Sequence, residues 1–382
     1  MEFIKKIGKS ENGSVTVYVL STLIVVLLVT TTIYIGLRNK TTTQIKQMDK
    51  INKEYSVTDT DMQETYDKAI MGTLESVKGT ETTNTTVKDS LGNQVVVPAG
   101  FKVVNKDANV TDGIVVEDVS HAETAGSQFV WIPVGEVIKD SAGNKETITL
   151  GRYVFNADES GSVNTELSKT EPGDQLKTSS SASNYFTEGL KDSTTSNTHA
   201  KDIEDFKNKV TNTTHGYYIG RYEARKNGTQ VTVKASDKVY NMITQPDAAT
   251  VSRGMYSDSN FESDLMNSYA WDTAIVFLQK FDNRANKTKP YSRQNSLNTR
   301  SDGLASQGTN NLEVSKQDVI CNVWDMASNC SEWTTETSSD SSRPCTYRGG
   351  YYNYSSICTS TRISNGTSDS YAFISFRSLL YM

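Results

Sequence analysis

The sequence predicts an α+β domain, built mostly of short strands, behind an N-terminal apolar helix. Three observations predict it. Val15–Leu37 is a largely apolar run with no charged residue. Between Thr80 and Val134, short β-branched and aromatic stretches alternate with Gly, Asn and Pro turns. Ser268–Phe281 places Ala270, Ala274, Phe277, Leu278 and Phe281 on one helical face.

The elements follow in chain order. Residues 1–14 form a short basic leader with Lys5, Lys6 and Lys9. The run over 15–37 reaches the length of about 20 apolar residues that spans a bilayer core as a helix. Arg38, Lys40, Lys46, Lys50 and Lys53 follow it, so basic residues on both flanks leave its orientation open. Ile45, Met48, Ile51 and Tyr55 recur at helical intervals and extend it as a stalk over 38–75. A small strand-rich segment covers 76–125, with a turn at Gly92-Asn93, then Val95 and Val97, and a further strand over Gly113–Asp118. The main domain, 126–382, opens on the strand Gln128–Val134, closed by Pro133 and Gly135. Stretches rich in Ser, Thr and Asn near 159–197 and 282–315 read as surface insertions. Between them lie a helix near Lys201–Val210, the strand Gly216–Ala224 and the helix at 268–281.

Composition narrows the function. The 382 residues carry a net charge of −6 and show no basic stripe, which argues against a nucleic-acid partner. Mean hydropathy is −0.51, a loop-rich, polar chain. The three histidines, His121, His199 and His215, have no metal-ligand spacing, so no His-based zinc site is expected. Four cysteines, Cys321, Cys330, Cys345 and Cys358, all follow residue 320. In an exported chain they suggest one or two disulfides, with three full pairings open. Four buried free thiols are the alternative.

Six segments in order resemble the formylglycine-generating-enzyme (sulfatase-modifying factor) family, from about Gly126 to the end. They are FVWIPVG, YYIGRYEA, SYAWDTAIVFLQKF, NVWDMASNCSEWT, YRGGYY and SFRSLLY. The resemblance implies a C-type-lectin-like fold. Trp333 and Phe376 would be core, and Gly349 and Gly350 would follow a path too crowded for a Cβ. Arg348 and Arg377 would need buried acceptors, with Glu223 and Asp325 as candidates. The N-terminus is similar to a type IV pilin leader, cut after Gly13, although Tyr18 stands where pilins carry Glu. A plain single-span anchor is the other reading.

In the family, the segment here spanning Asp325–Glu332 wraps calcium. Carried over, Asp325 and Glu332 would bind it by side chain, and Ser328 and Cys330 by carbonyl. The family's enzymes hold copper(I) on two thiolates after the Gly-Gly. Tyr354 stands at the first position, and Cys358 lies one residue before the second. No copper is therefore expected, and three scattered histidines supply no iron triad.

What replaces the catalytic segment is a mixture of Tyr, Ser and Asn: Tyr347, Tyr351, Tyr352, Asn353, Tyr354, Ser355, Ser356, Ile357, Thr359, Ser368, Asp369, Ser370 and Tyr371. Tyrosine gives rigid contact area at low entropic cost, and small polar residues give adaptable hydrogen bonds. YYNYSSICT and SDSYAFI also look like the variable region of retroelement-diversified target proteins, which use the same scaffold. The expectation is a non-enzymatic, adhesin-like protein at the cell surface, single-pass anchored or pilus-associated. Its C-terminal domain would be extracellular and bind a protein or glycan. A formylglycine-generating-type oxidase or oxygenase, or a structural minor pilin, is the alternative.

Overall fold

The computed structural model describes residues 22–24, 71–155, 163–166, 176–177, 185–189, 191–192, 198–228, 230–235, 238–284, 290–294, 318–352, 354 and 357–382. The leader, the expected stalk up to residue 70 and most of both insertions lie outside them, as do Asn353, Ser355 and Ser356; the stalk's last residues form the strand Gly72–Thr73 and the start of a 3-10 turn instead. Of the apolar run, residues 22–24 are described and are helical. The chain divides into two units, Met1–Met71 and Gly72–Met382.

The expected single-pass, cell-surface placement is corrected. No helix among the described residues is long and apolar enough to cross a membrane. The longest has 13 residues, against the roughly 20 a span needs.

The second unit is α+β, mostly sheet with few helices. After a small sheet of Gly72–Thr73, Thr85–Lys88 and Gln94–Val97, the chain runs through β1 (Phe101–Val103), β2 (Val115–Asp118) and β3 (Gln128–Pro133). It continues through β4 (Leu176–Lys177), β5 (Tyr185–Glu188), helix α1 (Ile203–Asn208), β6 (Gly216–Gly220) and β7 (Arg225–Asn227). Next come α2 (Gln245–Arg253), β8 (Glu262–Leu265) and α3 (Ser268–Lys280). The chain ends with β9 (Ser331–Ser338), β10 (Cys345–Arg348), β11 (Arg362–Asn365), β12 (Ile374–Phe376) and β13 (Ser378–Tyr381).

Two six-stranded sheets organise these elements. The first has the order β8-β13-β6-β3-β2-β1, antiparallel throughout. β1 and β2 thus belong to the same sheet as β3, so the expected boundary at 125/126 falls inside one sheet. β6 pairs β3 in the register Tyr218↔Trp131, and every residue of β6 is buried. Burial on both faces explains why these strands read as continuous apolar runs rather than alternating ones.

The second sheet has the order β4-β5-β9-β10-β11, with β12 parallel to β9. α3 touches β3 of the first sheet and β9 of the second. Its start is capped by Asn267, whose side chain accepts from the Ala270 N–H. Contact with both sheets buries every residue from Ser268 to Leu278. The helix is therefore enclosed on all sides rather than one-faced, and Phe281 is its half-buried cap.

Between α3 and the second sheet sits an ion cluster. Arg348 and Arg362 lie opposite one another on β10 and β11, a pairing of like charges that needs counter-ions. Asp272 of α3 and Glu336 of β9 supply them. Arg348 donates to Asp272 (2.6 Å) and Glu336 (3.2 Å), and Arg362 to Glu336 (2.9 Å) and Asp272. Arg152 adds a third cation on Glu336, at 2.8 Å. Asp272 and Glu336, rather than Glu223 or Asp325, are thus the carboxylate partners of Arg348.

Candidate functional site

The segment after the Gly-Gly pair turns out from β10 and returns along β11. Gly349 makes the exit: its φ is +78°, and a Cβ would lie 2.7 Å from the Met326 carbonyl oxygen. Tyr351 and Tyr354 then form a tight turn, with Tyr354 N–H donating to Tyr351 O at 3.2 Å. Tyr352 N–H donates to Asn329 O at 2.9 Å and ties the turn to the loop before β9.

The exposed aromatics assemble into a ladder. Tyr351 stacks on Phe373 (centroids 4.4 Å, planes 24° apart), and Tyr371 stacks on the same Phe373 (5.1 Å, 20°). Tyr354 stacks on Tyr351 at 6.0 Å, and Tyr352 meets Tyr351 edge-on. Tyr354 is 51% exposed and Tyr371 38%, while Tyr351, Tyr352 and Phe373 are half-buried. Burial lifts the Tyr351 and Tyr352 hydroxyls above the ordinary phenol value, so both stay neutral near pH 7.

Met242 adjoins this ladder. It is 59% exposed and takes a left-handed backbone (φ 54°), uncommon for a residue with a side chain. Two hydrogen bonds clip its segment to the ladder: Met242 N–H to Tyr371 O (3.2 Å) and the Asn241 side chain to Ala372 O (2.6 Å). Trp333 Nε1 donates to Ile243 O at 2.9 Å and fixes the same segment to β9.

The residues expected to contact ligand therefore divide. Tyr351, Tyr352, Tyr354, Ser368, Asp369, Ser370 and Tyr371 reach the surface, fully or in part. Tyr347, Ile357 and Thr359 are buried, which corrects their expected role. Tyr347 packs edge-on against Trp333 (5.6 Å, 86°), and burial beside Tyr351 and Tyr371 lifts its hydroxyl to about 12. Thr359 donates to Tyr291 O and accepts from Trp271 Nε1 at its own carbonyl. Sequence reasoning omitted Phe373 and Met242. Phe373 lies within the quoted SDSYAFI stretch, whereas nothing in the sequence singles out Met242.

Behind the ladder, the segment from Cys321 to Glu332, which runs into β9, carries the residues expected to bind calcium. Arg377 takes both oxygens of Glu332 (2.6 and 3.1 Å) and also donates to Gly220 O and Trp324 O. Asp325 accepts from Ser328 Oγ at 3.1 Å through one oxygen, and Ser328 Oγ also donates to Asp318 (3.0 Å). Cys330 N–H donates to Glu223 (2.9 Å). Burial lifts Glu332 to about 7 despite Arg377, and burial with Glu223 and Asp318 nearby lifts Asp325 well above the carboxylate range. With Glu332 engaged by Arg377, the quartet does not fit the expected calcium ligand set. Among the described residues, no group of three or more His, Cys, Asp or Glu is arranged to hold a metal ion.

All four cysteines are free thiols, which corrects the disulfide expectation. Each sits in its own surroundings. Cys321 faces Thr111 O, Cys330 faces Ala372 O, Cys345 faces the Gln245 side chain, and Cys358 faces Thr361 Oγ1. Burial raises the Cys321, Cys330 and Cys345 thiols, so they remain protonated and poorly nucleophilic.

No family model matches the chain, and no curated protein matches it. Similar solved structures include PvdO from Pseudomonas aeruginosa, with TM-score 0.34 and 11% identity over 67% of this chain and 95% of that one. Treponema denticola variable protein 1 gives TM-score 0.31 and 11% identity, over 66% of this chain and 95% of that one. Scores this low carry no argument about function.

Proposed function

We propose that this chain is a non-catalytic ligand-binding protein with a C-type-lectin-like domain. Its contact face is the ladder of Tyr354, Tyr351, Phe373 and Tyr371, flanked by Tyr352 and Met242. The supporting observation is the ladder itself: large rings, exposed at its two ends and rooted on buried Tyr347, which meets Phe373 and Trp333 edge-on. Rigid aromatic groups bring contact area into a complex without much loss of side-chain entropy. A preorganised base holds them in one geometry. The exposed groups described here are phenols, hydroxyls, a thioether and the carboxylate of Asp369, which accepts from Gly366 N–H. Such groups suit recognition of a protein or glycan. Substitutions at the surface positions leave the base intact, as a retroelement-diversified segment requires.

The test begins by screening the full chain on glycan and peptide arrays. For the hits obtained, Tyr354→Ala with Tyr371→Ala should abolish binding, and Met242→Ala should weaken it. The melting temperature should stay within about 2 °C, since both tyrosines are substantially exposed. Hits that survive the double substitution would refute the reading, and so would a collapse in stability.

A further inference from the structure

The loop from Asp318 to Glu332 combines two costly features. Of the six non-glycine residues with positive φ among those described, four lie within it: Cys321 (45°), Asn322 (63°), Asp325 (59°) and Asn329 (63°). Such conformations persist only where the surroundings over-determine them. The second feature is polar. Asp325 Oδ2 and Asn329 Oδ1 are buried with no hydrogen-bond partner. The neighbouring Arg225 is also buried, and none of its three side-chain nitrogens has one. Its nearest carboxylate oxygen is Glu223 Oε2, at 4.0 Å.

Unmet acceptors and unmet donors thus share one interior neighbourhood, linked through Glu223. That carboxylate receives Cys330 N–H and the Asn329 side-chain amide from the loop. A distance of 4.0 Å is too long for a direct hydrogen bond but leaves the ionic attraction intact. Water bridging Arg225 to Asp325 and Asn329 would satisfy both sides, because water donates and accepts. Four carboxylates, Asp318, Glu223, Asp325 and Glu332, gather around the loop. A bound divalent ion is one way to neutralise them, but Glu332 is engaged by Arg377. A metal ion on Asp325 would also be repelled by Arg225.

We propose that Arg225, bridged by water and assisted by Arg377, is the resident cation of this loop, which therefore holds its strained shape without a metal ion. Gly113 abuts the loop on its other side: a Cβ there would meet the Cys321 carbonyl at 1.8 Å. Asn322 also donates to the carbonyls of Asp112 and Gly113. These contacts fix the loop's first half, and Arg225 serves the second.

The experiment uses the full chain. Thermal melts are recorded in EDTA, in millimolar calcium chloride and in magnesium chloride, and terbium(III) luminescence is titrated alongside. The expected result is a wild-type melting temperature equal within about 1 °C in all three conditions, with no saturable terbium signal. Arg225→Met should lower the melting temperature by about 5–10 °C, as for removal of one partner from a buried charge pair. A calcium-dependent rise of several degrees in the wild type, or saturable terbium binding, would overturn the proposal. An unchanged melting temperature for Arg225→Met would do so as well. If Arg225→Met does not fold, the wild-type metal response still decides.

Discussion

Replacing Glu336 by Gln probes the ion cluster that ties α3 to β9, β10 and β11. Glu336 is fully buried and accepts from Arg152, Arg348 and Arg362 at 2.8, 3.2 and 2.9 Å. Burial opposes its charge, but the three guanidiniums prevail and hold the carboxyl at about 2, against 4.5 for an ordinary glutamate. A folded-state pKa depressed in this way contributes stability above pH 4.5, and the contribution is lost as pH falls through 2. The fall from 4.5 to about 2 corresponds to about 3 kcal/mol at neutral pH. Gln keeps the volume but removes the charge, leaves Arg348 and Arg362 to share Asp272, and takes from Arg152 the carboxylate it donates to. The expected loss at pH 7 is therefore about 3–5 kcal/mol. Urea unfolding of wild type and Glu336→Gln at intervals from pH 7 to pH 2 would measure it. The gap should be constant down to about pH 4.5, shrink below that and close near pH 2. A gap that does not change with pH would show that Glu336 stabilises by packing and that the ion cluster is not what holds β10 and β11.

Three further outcomes follow from particular contacts. Glu188 is buried, accepts from Ser268 and Thr335, and is lifted to about 7 by burial, with Glu336 nearby. Its raised pKa means stability present below pH 4.5 is lost as pH rises through 7, so Glu188→Gln should flatten stability between pH 5 and 8, as read by urea midpoints. Gly349→Ala should destabilise by about 2–4 kcal/mol in the same assay, because a left-handed backbone and a 2.7 Å approach to Met326 O act together. Alkylation of the denatured chain without reductant should add four adducts by mass spectrometry, where two disulfides would leave none.

Much of the scaffold was legible because its signals are local. The strands around Trp131 and Tyr218 are dense in β-branched and aromatic residues, and α3 carries its own cap. Long-range choices were less visible. Asp272 is a polar residue in a helix until β9, β10 and β11 bring Glu336, Arg348 and Arg362 together around it, and no spacing in the chain announces that meeting. Tyr347, Ile357 and Thr359 share the composition of the exposed segment yet turn inward, since Tyr347 lies in β10, buried at every position, and the connection before β11 folds back on Tyr291 and Trp271. Composition can describe a segment's chemistry but not which of its residues face out. The setting of Glu332 was hidden for a related reason: it is three residues beyond Asn329 in sequence, but its partner Arg377 arrives from the far end of the chain.

The division between base and ladder explains how one chain can combine rigidity with tolerance. The costly groups of the base, Arg348, Arg362, Asp272 and Glu336, are paired with one another beside Trp271. Removing any one of them leaves an unpaired charge in the interior. The ladder depends on ring stacking, worth about 0.5–1.5 kcal/mol per pair beyond area burial, with its end rings largely in solvent. Substitution at Tyr354 or Tyr371 therefore changes what the face can bind at small cost to folding. Tyr351 is the exception, because it lies between Phe373 and Tyr354 and loses two stacked neighbours at once. Variation that preserved the fold would thus concentrate at the ladder's ends and at Met242, and spare its middle.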